Sequence, residues 1–124
     1  MKNMVIEFSV KSDNLGDPMI NVSQITALGL ANKDELTELQ RLAVRINELL
    51  QNLFQSININ LVDFKLEFGK CDGKIILCDE ISPDSCRLWE IKTGGKLDKD
   101  LFRHNLGNLV EGYSEVLRRI ENVE

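Results

Sequence analysis

Apolar residues between Asn32 and Ile57 recur at every third or fourth position, which is the period of an amphipathic helix. The apolar positions are Leu36, Leu39, Ala43, Ile46, Leu50, Leu53 and Ile57. Asn32 and Glu35 have the spacing of a capping box, which predicts that the helix begins at Asn32. The opposite side is mostly polar, as is typical of a helix that packs on one face.

Alternating apolar and polar residues predict strands in two other places. Residues 5–10 predict a short strand, followed by a loop that contains Asn14, Gly16, Asp17 and Pro18. Residues 59–69 predict a longer strand with one apolar and one charged face. The apolar face would carry Val62, Phe64, Leu66 and Phe68, and the charged face Asp63, Lys65 and Glu67.

The rest of the chain predicts one hairpin partner and one more helix. Asp72-Gly73 marks a hairpin turn, after which residues 74–80 return as a strand. Residues 81–97 have an irregular pattern. A helical segment is expected from Lys99 to Ile120, capped by Asp98 and bent or broken at Gly107. The predicted fold is α/β (α+β), with a mainly antiparallel sheet flanked by helices at 32–57 and 99–120.

Composition excludes several classes of protein. A chain of 124 residues has the size of one domain, about 100–150 residues. Its net charge of −5 includes no basic arm, which argues against nucleic-acid binding. No apolar stretch has the length of a membrane span or of a signal-peptide core, so we expect a soluble, cytoplasmic protein. Three cysteines and one histidine, His104, do not have the spacing of a disulfide framework or a zinc site.

Charged residues are concentrated in the second half of the chain, where 17 of the 41 residues from Asp63 to Arg103 are charged, against 28% of the whole. Their arrangement depends on the register of the hairpin. A two-residue turn at Asp72-Gly73 pairs Cys71 with Lys74. That register turns Asp79 towards the apolar face beside Leu66, where a lone carboxylate is costly.

A three-residue loop with a bulge gives a different register, in which Lys70 pairs with Lys74. Lys65 then faces Asp79, and Glu67 is the diagonal neighbour of Asp79 on the same face. We favour this bulged register because it leaves no carboxylate buried alone. It predicts that the carboxylates of Glu67 and Asp79 converge.

Two carboxylates a few ångströms apart repel one another unless a cation lies between them. Mg²⁺ takes one or two protein carboxylates and fills its other positions with water and phosphate oxygens, so Glu67 and Asp79 are candidate ligands. Lys65 beside them could also reach a phosphate. The alternative is an exposed salt-bridged pair on a hairpin, which contributes little to stability.

Residues 79–89 form a second candidate region, in which Pro83 restricts the backbone of Ser82. Asp84 and Arg87 could bind a polar ligand that has an anionic and a basic end, although a plain surface loop has the same composition. The chain contains no glycine-rich phosphate loop, no dinucleotide fingerprint and no serine nucleophile elbow. His104 is expected to cap or pack.

Four segments together resemble one family, the SAICAR synthetases (phosphoribosylaminoimidazole-succinocarboxamide synthases). They are SDNLGDPMIN at 12–21, LVDFKLEFG at 61–69, KIILCDEISPDSCRLW at 74–89 and KLDKDLFRHNLG at 96–107. In order and spacing they are similar to the C-terminal part of those enzymes. The resemblance implies ATP-dependent ligation of L-aspartate to the carboxylate of CAIR, with Mg²⁺, in de novo purine biosynthesis.

The resemblance also implies roles for individual residues. Glu67 and Asp79 would hold Mg²⁺ with ATP, and Lys11 and Lys65 would contact nucleotide phosphates or the CAIR carboxylate. Lys65, Asp84 and Arg87 would be the catalytic residues. Substrate contacts would come from Asp17, Ser82, Asp84, Arg87 and Arg103, with Asp63 as a neighbour of the site.

Members of the family are about twice this length, so residues 1–124 are expected to be a C-terminal ATP/Mg²⁺- and substrate-binding domain without its N-terminal half. We expect the N-terminal half to be a partner of this chain and the lone chain to be inactive. Whether the chain forms a homo-oligomer is left open by the sequence. A kinase-type phosphotransferase is one alternative. A non-catalytic remnant that binds a partner is another.

Overall fold

The structure is a computed structural model that describes residues 3–100 and 108–123. Within these ranges it has six strands and three helices. Their order is β1 (Phe8–Ser9), β2 (Met19–Ile20), α1 (Val22–Ala27), α2 (Lys33–Ser56), β3 (Ile59–Phe64), β4 (Glu67–Cys71), β5 (Lys74–Cys78), β6 (Cys86–Glu90) and α3 (Leu109–Glu121). All strand pairs are antiparallel, namely β1–β2, β3–β6 and β4–β5. The predicted α+β class with antiparallel pairing is therefore confirmed.

The chain divides into two compact units, residues 1–44 and 45–124. In the first unit, β1 and β2 form a short hairpin that the Val10 N–H extends by donating to the Pro18 carbonyl at 3.0 Å. The strand is shorter than the predicted 5–10. Asp17 closes the intervening loop, because its Oδ1 accepts the Ser12 N–H at 2.8 Å.

Both α1 and α2 begin with reciprocal capping boxes. At α2, Asn32 Oδ1 accepts the Glu35 N–H at 2.9 Å, and Glu35 Oε1 accepts the Asn32 N–H at 3.0 Å. Asn21 and Gln24 make the same pair of bonds at α1, a helix that the apolar pattern did not predict. The predicted long helix at 32–57 and its cap are confirmed. In the described ranges no helix is long and apolar enough to cross a membrane.

The core of the second unit lies on the β3–β6 sheet. Its buried members are Phe54, Ile57, Ile59, Leu61, Cys86, Leu88 and Val116. Ile59 and Leu88 are fully buried, and each contributes about 1.5–3 kcal/mol relative to an exposed side chain. Leu50, Phe64 and Leu97 pack against this cluster.

The predicted strand 59–69 is wrong in its length and in the phase of its first half. Ile59 and Leu61 enter the core, and then a register shift between Leu61 and Asp63 inserts Val62 as an extra residue, which stays 39% exposed. A bulge of this kind reverses which positions face the core. β3 therefore ends at Phe64, and the hairpin strand β4 begins separately at Glu67.

Residues 86–90 were expected to be irregular, but they form β6, the partner of β3. Within the predicted helical segment 99–120, the helix that the structure describes is α3 (Leu109–Glu121). Asn108 has an extended backbone (φ −84°, ψ 119°) and accepts the Val110 N–H at 2.9 Å, so α3 begins at Leu109. The predicted break at Gly107 lies outside the described residues. Asp98 is buried and accepts the Asp100 N–H at 2.7 Å, as a capping side chain does.

Candidate functional site

The β4–β5 hairpin turns through two residues. Cys71 pairs with Lys74 and Glu67 with Cys78, so the favoured bulged register is wrong. Asp72 (φ 50°) and Gly73 (φ 74°) both have left-handed backbones, which is the signature of a type I′ turn. Such a turn matches the right-handed twist of the two strands, and Asp-Gly is one of its preferred sequences.

The backbone conformation of Asp79 explains why the two-residue turn does not bury the Asp79 carboxylate in an apolar face. Asp79 has φ 66°, so it ends the alternation of β5 and its side chain does not enter an apolar face. Aspartate tolerates this left-handed conformation because its short polar side chain bonds locally. Asp79 Oδ1 accepts the Glu80 N–H at 2.9 Å, and the residue is exposed.

Lys65 and Glu67 form an ion pair at the start of the hairpin. Lys65 Nζ lies 3.2 Å from Glu67 Oε1, and the Glu67 side chain is 19% exposed. The Lys65 N–H donates to the Ser85 carbonyl at 2.8 Å. Lys65 lies before β4 begins, so the predicted cross-strand pair between Lys65 and Asp79 is wrong. Glu67 pairs across the hairpin with Cys78, which directly precedes Asp79. That the carboxylates of Glu67 and Asp79 converge stays a prediction.

Glu80 adds a further carboxyl group beside Asp79. The pKa of Glu80 is raised above its ordinary value, chiefly by a hydrogen bond with Asp79 and also by the charge of that carboxylate. The Ser82 hydroxyl donates to Glu80 Oε1 at 3.5 Å. A cation beside two neighbouring carboxyl groups favours the charged form of both.

A tight turn at residues 82–85 holds Asp84. The Ser85 N–H donates to the Ser82 carbonyl at 3.0 Å, and the Asp84 N–H donates to Ser82 Oγ at 3.2 Å. The phenol of Tyr113 on α3 donates to Asp84 Oδ1 at 2.6 Å. Sequence reasoning predicted Asp84 and Ser82 but missed Tyr113, because nothing in the local pattern of α3 links it to a turn 29 residues earlier.

Arg87 joins two carboxylates. Its Nη1 lies 3.0 Å from Asp63 Oδ2, and its Nε lies 3.6 Å from Asp100 Oδ2. Lys96 Nζ lies 4.0 Å from the same Asp100 oxygen and 5.0 Å from the centre of the Trp89 ring. The structure therefore brings the predicted residues Asp63 and Arg87 together and adds Asp100 and Lys96, which the sequence did not single out.

The remaining predicted site residues are Lys11, Asp17 and Arg103. Lys11 and Asp17 belong to the first compact unit, where Asp17 closes the β1–β2 loop. Arg103 and His104 lie outside the described residues. In the part of the chain that the structure describes, no three histidine, cysteine or acidic side chains are grouped to hold a metal ion.

Solved structures of known enzymes share this fold. Phosphoribosylaminoimidazole-succinocarboxamide synthase from Ehrlichia chaffeensis matches with a TM-score of 0.93 and 44% identity, over 100% of this chain and 54% of that chain. A SAICAR synthetase (Type-2) in complex with ADP also matches with a TM-score of 0.93 and 44% identity, over 100% and 53% of the two chains. The fold is therefore that of a class of synthetases.

Sequence comparison agrees with the structural match. A family model described as SAICAR synthetase matches residues 1–120. Phosphoribosylaminoimidazole-succinocarboxamide synthase from Clostridium perfringens (strain SM101) is 49% identical over 122 residues, which are 98% of this chain and 52% of the relative. The chain belongs to the SAICAR synthetase family. It spans about half the length of the relatives that it matches.

Proposed function

We propose that this chain is the ATP-, Mg²⁺- and substrate-binding part of a cytoplasmic enzyme that joins L-aspartate to CAIR and forms SAICAR, ADP and phosphate. Family membership over residues 1–120 supports this reaction, as does the match to a relative in complex with ADP. The structural observation that most supports the proposal is the register of the β4–β5 hairpin. It sets Glu67 across from the residue that precedes Asp79, and Asp79 has a left-handed backbone.

The donor chemistry of Glu67 and Asp79 fits Mg²⁺. Both supply hard carboxylate oxygens, and Mg²⁺ prefers one or two of these with water and phosphate oxygens around them. When bound, the ion would offset negative charge on the nucleotide phosphates. A cation bound at Asp79 would also favour the charged form of the neighbouring Glu80, whose pKa is raised chiefly by its hydrogen bond with Asp79.

The reaction that we propose has two steps. A carboxylate oxygen of CAIR attacks the γ-phosphorus of ATP, and ADP leaves with the bonding electron pair. The amine of L-aspartate then attacks the acyl carbon, phosphate leaves, and the nitrogen loses a proton. The protein contributes by orienting the two substrates and by stabilising negative charge as it develops.

Three residues of this chain would act as the catalytic groups. Lys65, held beside Glu67, places its ammonium group where it can stabilise charge on a phosphoryl or carboxylate oxygen. Arg87 presents a planar fork suited to a substrate carboxylate or phosphate, held by Asp63. Asp84, fixed by Tyr113, can accept a hydrogen bond from the aspartate amine.

Other residues would complete the site. Lys11 would contact nucleotide phosphates or the CAIR carboxylate. Asp17, Ser82 and Arg103 would contact the substrates. Because the chain spans about half of its relatives, we propose that the complementary part of the family fold is needed for turnover. The lone chain is then expected to bind nucleotide weakly and to form no SAICAR.

A reconstitution assay tests this proposal. The chain is assayed for SAICAR formation alone and mixed with the separately produced portion of the Clostridium perfringens enzyme that it does not match. We expect activity only in the mixture, and only with ATP, Mg²⁺, CAIR and L-aspartate together. Turnover by the lone chain would refute the requirement for a partner, and an inactive mixture would refute the ligase proposal. ATP consumption with a hydroxyl acceptor would instead indicate a kinase.

Matched variants locate the cation site in the same assay. Glu67→Gln and Asp79→Asn remove one carboxylate each and should lower turnover by at least about 100-fold, because charge stabilisation at the phosphates is lost. Asp72→Asn is the control. It removes a carboxylate from the same hairpin, at a turn position that asparagine also favours. An equal loss in Asp72→Asn would mean that hairpin integrity, rather than these two carboxylates, controls activity.

A further inference from the structure

Strand β5 has the composition of a strand that is covered on both sides. Ile75, Ile76 and Leu77 are consecutive, and uninterrupted apolar runs are typical of strands with two buried faces. Neighbouring residues of a strand point to opposite faces. Ile76 is nevertheless 44% exposed and Leu77 42% exposed, so both faces of β5 present apolar surface to solvent.

The open edges of the hairpin also indicate that it is covered by another part of the protein. Among the described strands, β4 and β5 pair only with each other. A single two-stranded hairpin is marginally stable in water, and proteins usually cover or blunt an open sheet edge. After a two-residue turn, the alternation of an antiparallel ladder directs the N–H groups of Ile75 and Leu77 to the outer edge of β5. That edge can accept another strand.

The relatives supply the material that could cover this surface. The Ehrlichia chaffeensis enzyme contains the whole fold of this chain in 54% of its length, so nearly as much chain again packs in the complete family fold. We propose that the β4–β5 hairpin, through Ile76, Leu77 and the outer edge of β5, is the docking surface for that complementary part. This inference rests on the proposed function, because it assumes that the complementary part assembles with this chain.

Charge argues against a second copy of the chain as the occupant. Ile76 pairs with Gly69, so it shares a face of the hairpin with Glu67. Each chain carries a net charge of −5, so two copies docked through this face would bring like net charges together. Like charges across an interface disfavour association.

Amide hydrogen exchange on the full chain tests the proposal without any variant. Exchange is measured for the chain alone and mixed with the unmatched portion of the Clostridium perfringens enzyme. We expect the amides of Ile75 and Leu77 to become protected in the mixture at least about tenfold. A complex that forms without protection of these two amides would place the docking surface elsewhere, and failure of the parts to associate would also overturn the proposal.

Variants give a second readout. Ile76→Ser and Leu77→Ser should each weaken the complex by roughly tenfold or more, as measured by calorimetry, because apolar area is no longer removed from water. Leu117→Ser on α3 is the matched control, since Leu117 is 56% exposed, and it should change the affinity less than twofold. An equal or larger effect of Leu117→Ser would overturn the assignment, as would concentration-dependent self-association of the lone chain that Ile76→Ser abolishes.

The two proposals can fail separately. A complex with a protected hairpin and no SAICAR formation would leave the docking surface intact and refute the ligase activity. SAICAR formation by a mixture in which the hairpin amides stay unprotected would support the ligase activity and refute the docking surface.

Discussion

The guanidinium of Arg119 on α3 faces the carboxylate of Glu90 at the end of β6, with Nη1 3.2 Å from Oε1. The same nitrogen donates to the Ile57 carbonyl at 3.2 Å, and Nε donates to Glu115 Oε1 at 2.7 Å. The side chains of Arg119 and Glu90 are each 18% exposed. One arginine therefore ties α3 to β6 and to the segment that follows α2.

We expect Arg119→Ala to lower the free energy of unfolding by about 2–3 kcal/mol, because Glu90 would be left partly desolvated without its bidentate partner. The neighbouring Arg118→Ala is the control. Arg118 pairs with Glu115 and is 63% exposed, so its loss should destabilise the protein much less than the loss of Arg119. Urea denaturation of both variants measures the difference, and equal costs would show that the Arg119 cluster is not a structural link.

The pH dependence of stability should report on Glu115. Hydrogen bonds from Arg118 and then Arg119 lower the pKa of Glu115 from 4.5 to about 2. A carboxyl group with a lowered pKa in the folded state stabilises the protein above pH 4.5, and the stabilisation is lost as the pH falls towards 2. Glu115→Gln should therefore lower the Tm at pH 7, and the gap from the wild type should close by pH 2. A gap that is constant with pH would contradict this.

Asp98 should be a major contributor to stability. It is 1% exposed, and its two carboxylate oxygens accept the Leu88 N–H and the Asp100 N–H. Asp98→Ala leaves both buried donors without partners, so we expect a loss of about 3 kcal/mol in urea denaturation. The exposed Asp13→Ala is the matched control and should change stability by less than about 0.5 kcal/mol. A loss in Asp98→Ala as small as this would show that water replaces the carboxylate.

The left-handed backbone of Asp79 makes a prediction that separates stability from function. Asp79→Gly relieves the positive φ, whereas Asp79→Ala keeps a Cβ in a conformation that costs about 1–2 kcal/mol, and both lose the hydrogen bond to the Glu80 N–H. The glycine variant should therefore be more stable than the alanine variant in thermal unfolding. In the reconstituted mixture, both should lose Mg²⁺-dependent nucleotide binding to the same extent, since both lack the carboxylate. Retention of that binding by either variant would exclude Asp79 as a ligand.

Local sequence predicted the elements whose determinants lie within a few residues of each other. The cap at Asn32 needs only Glu35, and the face of α2 repeats within each turn. The Asp72-Gly73 turn was also predicted from local sequence. The register of the hairpin was predicted wrongly, because a regular strand through Asp79 would have buried its carboxylate at an energetic cost. A single left-handed residue removed that cost.

By itself, the sequence of this protein determined the long helix, the turn of the hairpin and the spaced motifs that mark the family. Only the tertiary structure decided that 86–90 pairs with β3, that Val62 is bulged outwards, and that Tyr113 reaches Asp84. Those features depend on contacts between residues 22 or more positions apart, such as Phe64 with Cys86 and Asp84 with Tyr113. Such contacts form when whole helices and strands pack together. The local sequence around either residue therefore contains no signal that identifies its partner.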